Sequence, residues 1–258
     1  MTELYGKAAA APMVNPSAIG RLLQEVSWEG GANLRRYRDG GCGRENVLTA
    51  EVLQALDFLP RDAFLGGILR AAHGADAARG IAVAEIESAA VSILDEVQLN
   101  PSATDRGKQL VVQPDALIRS ANAYALVELK GLRANMFGQR QLAKEYVTAA
   151  REARGRSPLV LLVMRHGPPL PVQKHGRLSL AEAVMLQLDD VLAGAVDHDL
   201  DHADMVARIP EVFAWITWAE VGDVIHRQAH AFVSDDPSVA GTVRRLANSV
   251  AAAIEAHT

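Results

Sequence analysis

Cysteine is almost absent from this chain: Cys42 is the only one in 258 residues. That excludes an intramolecular disulfide and any zinc site built on cysteines, and it fits a reducing cytoplasm. Aromatic residues are scarce, at 5%. The core is therefore built mostly from Ala, Leu, Val and Ile, and a single-strand binder that stacks bases on aromatic platforms is disfavoured. Positive charge is not in excess either. Lys and Arg number 26 against 31 Asp and Glu, a net charge of −5, and the pI is about 5.9. A globally basic nucleic-acid binder is excluded, although a local basic patch is not. No apolar run approaches the roughly 18 residues of a membrane-crossing helix. The opening residues, MTELYGKAAAAPMVNP, lack the apolar stretch of a signal peptide. The expectation is a cytoplasmic protein with no membrane partner. There is no internal repeat, no low-complexity tract and no Pro/Ser-rich linker.

What is present reads as a globular α/β protein. Hydrophobic residues make up 49% and charged residues 22%, ordinary proportions for a folded domain. At roughly 150 residues per domain the length allows one large domain or two small ones, and the missing linker favours one. Residues 1–44 read as a short helix over 19–28 followed by a flexible basic loop, GGANLRRYRDGGCGR. Thr49 reads as the N-cap of a helix through Leu56. Pro60 opens a second helix with Phe64, Leu65, Ile68 and Leu69 on its buried side, and a third covers 75–90. Three strands follow, at Val91–Leu99, Leu110–Ile118 and Tyr124–Lys130. A helix over 138–153 turns Leu142, Ala143, Tyr146, Val147 and Ala150 inward. Leu159–Met164 is a continuous apolar run, as in a strand buried on both faces. Beyond it lie a loop at 166–176, a helix over 178–193, a polar turn at 197–203, a strand at 212–218 and helices near 219–232 and 237–256. Three segments result: 1–44, a core at 45–165, and an extension at 166–258 packed on that core.

The informative stretch is VVQPDALIRSANAYALVELKG, residues 111–131. If Ser120–Ala123 form a four-residue hairpin loop, Arg119 pairs with Tyr124 and Asp115 falls opposite Glu128. Opposed residues have Cβ atoms about 4.5–5.5 Å apart on one face. Two carboxylates that close repel each other unless a cation sits between them or one holds a proton. Lys130, two residues beyond Glu128, lies on the same face. This patch suits Mg²⁺, a hard cation that takes carboxylate and carbonyl oxygens and keeps several waters. Asp115 and Glu128 supply carboxylates and the Leu129 carbonyl a third oxygen. Lys130 stands where it can orient a water or stabilise developing negative charge.

Pro114-Asp115 followed by Glu128-Leu129-Lys130 resembles the motif of the PD-(D/E)XK nuclease superfamily. Gln141-Leu-Ala-Lys-Glu145-Tyr146, on the next helix, is similar to the Gln/Tyr helix of several of its branches. The α-β-β-β-α-β order over 45–164 also resembles that core. The resemblance implies a restriction-endonuclease-like fold, a mixed central sheet flanked by helices with N- and C-terminal helical additions. It implies Mg²⁺-dependent cleavage of phosphodiester bonds in nucleic acid, DNA in preference to RNA, with Mn²⁺ as a substitute. It assigns Asp115 and Glu128 to the metal and Lys130 to catalysis, with Gln141 and Tyr146 supporting the site or touching substrate. An acidic residue from the first core helix is also implied, from among Glu45, Glu51, Glu85 and Glu87. Glu45 is favoured because Glu45-Asn46-Val47-Leu48-Thr49 resembles an E-(D/N)-x-L-T helix start. Defence against foreign DNA, or repair, is the expected setting. The rival expectation is a nuclease-like fold that binds protein or nucleic acid without cutting.

Other features carry less. Arg133, Arg140, Lys144, Arg151, Arg154 and Arg156 follow the motif, and Arg35, Arg36, Arg38 and Arg44 lie in the Gly-rich loop, as sources of phosphate contacts. That loop lacks the G-x-x-x-x-G-K-[ST] pattern of a P-loop. Asp197-His198-Asp199 with His202, and the pair His226 and His230, lack a complete ligand set and read as turn and helix surface. Trp215 and Trp218 read as core. The apolar C-terminal helices offer a face for a homodimer or an accessory protein.

Overall fold

The computed structural model describes residues 44–99, 111–130, 136–195 and 200–257, with side chains from Leu48 to Glu255. The predicted loop and helix before Arg44 lie outside these residues. Three helices come first: α1 (Arg44–Phe58), α2 (Leu65–Ala71) and α3 (Asp76–Ala84). Thr49 is not an N-cap, since α1 already runs through it. Phe64, Leu65, Ile68 and Leu69 are buried, as their spacing predicts.

The first two strands predicted from the sequence are each broken. Val91–Leu99 divides into β1 (Ala90–Ile93) and β2 (Val97–Gln98). The cause is Leu94, whose φ of 57° puts it in the left-handed region, where an extended strand cannot continue. The second divides into β3 (Val111–Val112) and β4 (Ala116–Arg119) around Pro114, which has no N–H to give a ladder. β5 (Ala123–Leu129) is buried along its whole length. Helix α4 (Gln141–Ala153) leads to β6 (Ser157–Met164). The α4 C-terminus closes on Arg154 and Gly155, both at positive φ, a left-handed helix stop.

The stretch read as a loop after β6 holds a hairpin, β7 (Leu170–Val172) and β8 (Gly176–Leu178). The single helix expected over 178–193 is two, α5 (Leu180–Met185), opened by a Ser179–Glu182 capping box, and α6 (Leu188–Gly194). Helix α7 (His202–Val212) begins inside the predicted polar turn and contains Pro210. It leads to β9 (Phe213–Thr217), which passes into α8 (Trp218–Ala231) through a Thr217–Glu220 capping box. Helix α9 (Pro237–His257) ends the described chain.

The central sheet has the order β1-β4-β5-β6-β9. Pairs β1–β4 and β4–β5 are antiparallel, while β5–β6 and β6–β9 are parallel. This is an α/β protein with a mixed sheet, and the 166–258 segment supplies the fifth strand. Side chains alternate between the two faces. Ala125, Val127, Leu129, Leu159, Leu161 and Ile216 pack under α1–α3, α8 and α9. Leu126, Val160, Leu162, Met164 and Phe213 pack under α4–α7. Among the described residues no helix is long and apolar enough to cross a membrane.

Candidate active site

Among the described residues only Thr49, Asp115, Glu128, Lys130, Glu145 and Thr148 are buried polar or charged side chains. They concentrate where the β4–β5 pair opens, beside α1 and α4. The register sets this up. Arg119 pairs with Tyr124 and Ala116 with Val127, so the next step outward sets Asp115 against Glu128, as the hairpin count predicts.

Asp115 and Glu128 are each 7% exposed, so water cannot relieve their repulsion. Each turns to separate partners instead. The Thr49 hydroxyl donates to Asp115 Oδ1 at 2.7 Å, and the Leu129 N–H donates to Oδ2 at 2.6 Å. Lys130 Nζ donates to Glu128 Oε1 at 2.7 Å, and the Gln141 side-chain amide donates to the same oxygen. The ammonium also stands 5.2 Å from the centre of the Phe137 ring. Backbone bonds fix this end of β5: Lys130 N–H donates to the Val163 carbonyl, and Trp218 Nε1 donates to the Lys130 carbonyl, both at 2.8 Å. The N–H and C=O of one extended residue point the same way, so the Leu129 carbonyl faces the Asp115 side.

Asp115, Glu128, Lys130 and Gln141 are thus brought together. Tyr146 is not. Its hydroxyl donates to the Met205 carbonyl on α7 at 2.5 Å, and burial pushes its pKa up to about 12. It follows Gln141 by five positions, which rotates it away from Gln141 on the helix. The residue four after Gln141 is Glu145, on the same face.

Glu145 is 2% exposed, and its Oε2 has no hydrogen-bond partner among the described residues. Burial pushes its carboxyl well above the ordinary range, and the Glu128 charge adds to this. Lys130 and a hydrogen bond from Gln141 oppose the shift. A cavity of about 320 Å³ adjoins it, lined by Gln113, Gly138, Arg140, Gln141 and Lys144 with β3.

The first helix does reach the site, but the described contact comes from Thr49. Position 45 lies one turn earlier on the same face of α1; its side chain is outside the described set. The alternatives are placed elsewhere. Glu51 is exposed. Glu85 accepts from the Asn122 backbone at 2.9 Å and so braces the β4–β5 turn, and Glu87 accepts from the Asp62 N–H at 2.8 Å. Thr49 and Glu145 are the residues that sequence reasoning missed. The Gln141–Glu145 spacing was the signal for one, and the Leu48-Thr49 pair for the other.

Asp197–Asp199 and Arg133 lie outside the described residues, while His226 and His230 are exposed on α8. Trp218 is buried, and Trp215 stacks on His73 with ring centres 4.3 Å apart. Among the described residues no three His, Cys, Asp or Glu gather at metal-binding spacing. Asp115, Glu128 and the Leu129 carbonyl offer oxygen donors only. This set fits Mg²⁺, which is held through one or two carboxylates and otherwise keeps waters and substrate oxygens. Comparison with known proteins gives no match: no family model, no curated protein and no solved structure is similar to this chain.

Proposed function

We propose that this chain is a divalent-metal-dependent nuclease with a restriction-endonuclease-like core, hydrolysing phosphodiester bonds in nucleic acid, DNA in preference to RNA. The observation that carries the reading is the convergence of Asp115, Glu128 and Lys130 at the open end of one strand pair, each 7% exposed. Burying two carboxylates and an ammonium costs several kcal/mol per ion before pairing offsets it. Apolar residues would hold this sheet at lower cost, and buried ionisable clusters are commonest at functional sites.

Asp115 and Glu128, with the Leu129 carbonyl, would hold Mg²⁺ or Mn²⁺. Bound there, the ion supplies a water of lowered pKa and neutralises charge on the phosphoryl oxygens. Thr49 and the Leu129 N–H orient Asp115. Gln141 and Lys130 orient Glu128. Lys130 stands where it can orient a water or stabilise developing negative charge. Glu45, one turn before Thr49 on α1, is the candidate for a further acidic group. Defence against foreign DNA or repair is the proposed setting.

A second reading, a nuclease-like module that binds without cutting, is favoured by one observation: both oxygens of Asp115 and Oε1 of Glu128 already accept hydrogen bonds within the protein. One experiment separates the two. The full chain is incubated with supercoiled plasmid, linear DNA and RNA, with Mg²⁺, Mn²⁺ or chelator. The nuclease reading expects metal-dependent cleavage, lost in Asp115→Ala and Glu128→Ala and lowered about 10²–10³-fold in Lys130→Ala. Cleavage that survives unchanged in all three variants overturns the site. Binding that persists in chelator with no cleavage under any condition establishes the second reading.

A further inference from the structure

The cavity beside Gln141 and Glu145 has an electrostatic peculiarity. Arg140 and Lys144 both line it, four residues apart on one helix face. Neither side chain makes an ion pair or hydrogen bond among the described residues. Lys130, at the same end of the sheet, is matched with Glu128. The Lys144 ammonium is pushed below its usual pKa, by burial first and by the Arg140 charge second. Arg140 is exposed and Lys144 half-buried, and an anion bound between them would offset their mutual repulsion.

Glu145 also belongs to the cavity wall. Its Oε2 is buried and has no partner among the described residues, and an unsatisfied buried polar atom costs roughly 1–3 kcal/mol. Gln141 joins the cavity to Glu128, so an occupant would sit next to the carboxylate pair. Two cations with no ion pair among the described residues and roughly 320 Å³ of space suit a tetrahedral oxyanion.

We infer that this cavity is a phosphate subsite, in which Arg140 and Lys144 hold a phosphate of the substrate strand neighbouring the one that reacts. The inference rests on the nuclease reading for its substrate, but its test does not need cleavage. Duplex binding is measured in chelator for the wild type, for the Arg140→Gln/Lys144→Gln double variant and for Lys144→Arg, over a range of salt. Duplexes with and without a 5′-terminal phosphate form the two arms. The double variant is expected to bind about tenfold more weakly, with the log–log salt slope reduced by about 1. Lys144→Arg should keep most of the affinity, since it keeps the charge. A wild-type preference for the 5′-phosphorylated duplex that the double variant loses identifies a terminal phosphate as the occupant. No such preference, with the tenfold loss, identifies an internal phosphodiester. Equal affinity and equal slope in wild type and double variant overturn the subsite. A wild type that binds in this pattern and never cuts keeps the subsite and removes the nuclease. A wild type that cuts, with a double variant of unchanged KM and unchanged binding, does the reverse.

Discussion

The β4–β5 pair carries charged groups at both ends, and the ends differ in one respect: water. At the turn end, Arg119 is 40% exposed and stands 3.6 Å from Asp95. A polar cavity of about 600 Å³ lies there, walled by Arg119, Arg151, Arg154, Arg156, Glu96 and Glu152. Both signs mix, and the side chains are more open to solvent than those of the open end, from 15% for Asp95 and 19% for Glu152 to 77% for Arg154. At the open end, Asp115, Glu128 and Lys130 sit in the same register and on the same sheet face, nearly sealed. An exposed pair is screened and contributes roughly 0–1 kcal/mol. A buried pair gains little over apolar residues, yet removing one partner leaves a charge stranded at a cost of about 3–5 kcal/mol. The turn end can lose its charges with little effect. The open end cannot, and stability alone gives no reason to have placed them there.

That contrast is open to measurement. The largest effect is expected from Lys130→Met, which removes the cation from Glu128 while keeping the length of the apolar stem. Urea unfolding at pH 7 should show a loss of about 3 kcal/mol, and a loss below about 1 kcal/mol would mean that the open end behaves as a surface pair. Adding Glu128→Gln to Lys130→Met should recover most of the loss, because the two effects are coupled.

Glu145→Gln comes next, with the opposite sign. Its folded-state pKa is raised, so the protonated form is the one the fold favours. The stability it contributes is fully present below the unfolded value near 4.5 and is lost as pH rises through the folded value. The glutamine variant should therefore melt a few degrees higher than wild type at pH 8, and the gap should close toward pH 4.5. A gap that widens on acidification would show that Glu145 is ionised in the folded protein. The smallest effect belongs to the turn end. Arg119→Met should change unfolding free energy by less than about 1 kcal/mol, and a change as large as that of Lys130→Met would erase the distinction between the two ends.

The site was legible where its geometry follows from local counting. A four-residue turn and a period of two set Asp115 opposite Glu128, and those rules operate within fifteen or so residues of each other. The buried run of β6 and helices α8 and α9 followed from pattern in the same way. What was not legible depends on distant packing. Helix α1 starts at Arg44, where Gly-rich sequence argues for a loop, and Thr49 spends its hydroxyl on Asp115, 66 residues away, instead of capping its own helix. Helix α7 was obscured by Pro210, although Asp201 caps it through the Asp204 N–H at 2.9 Å. Leu94 gives no sign in the sequence of its left-handed backbone; its N–H donates to the Asp115 carbonyl at 3.0 Å, so the bend that breaks the first strand also steadies the site. The burial of Glu145 was not legible because no local rule places β3 over the first turn of α4.

The bond from Trp218 to the Lys130 carbonyl spans 88 residues, and it bears on the order in which this protein is made. A ribosome completes Asp115, Glu128 and Lys130 well before it reaches β9 and the indole that anchors the end of β5. During that interval the three charged groups exist without the strand and the side chain that hold them in place. The cluster is encoded early and assembled late, so a nascent chain carries these charged residues before it carries their arrangement.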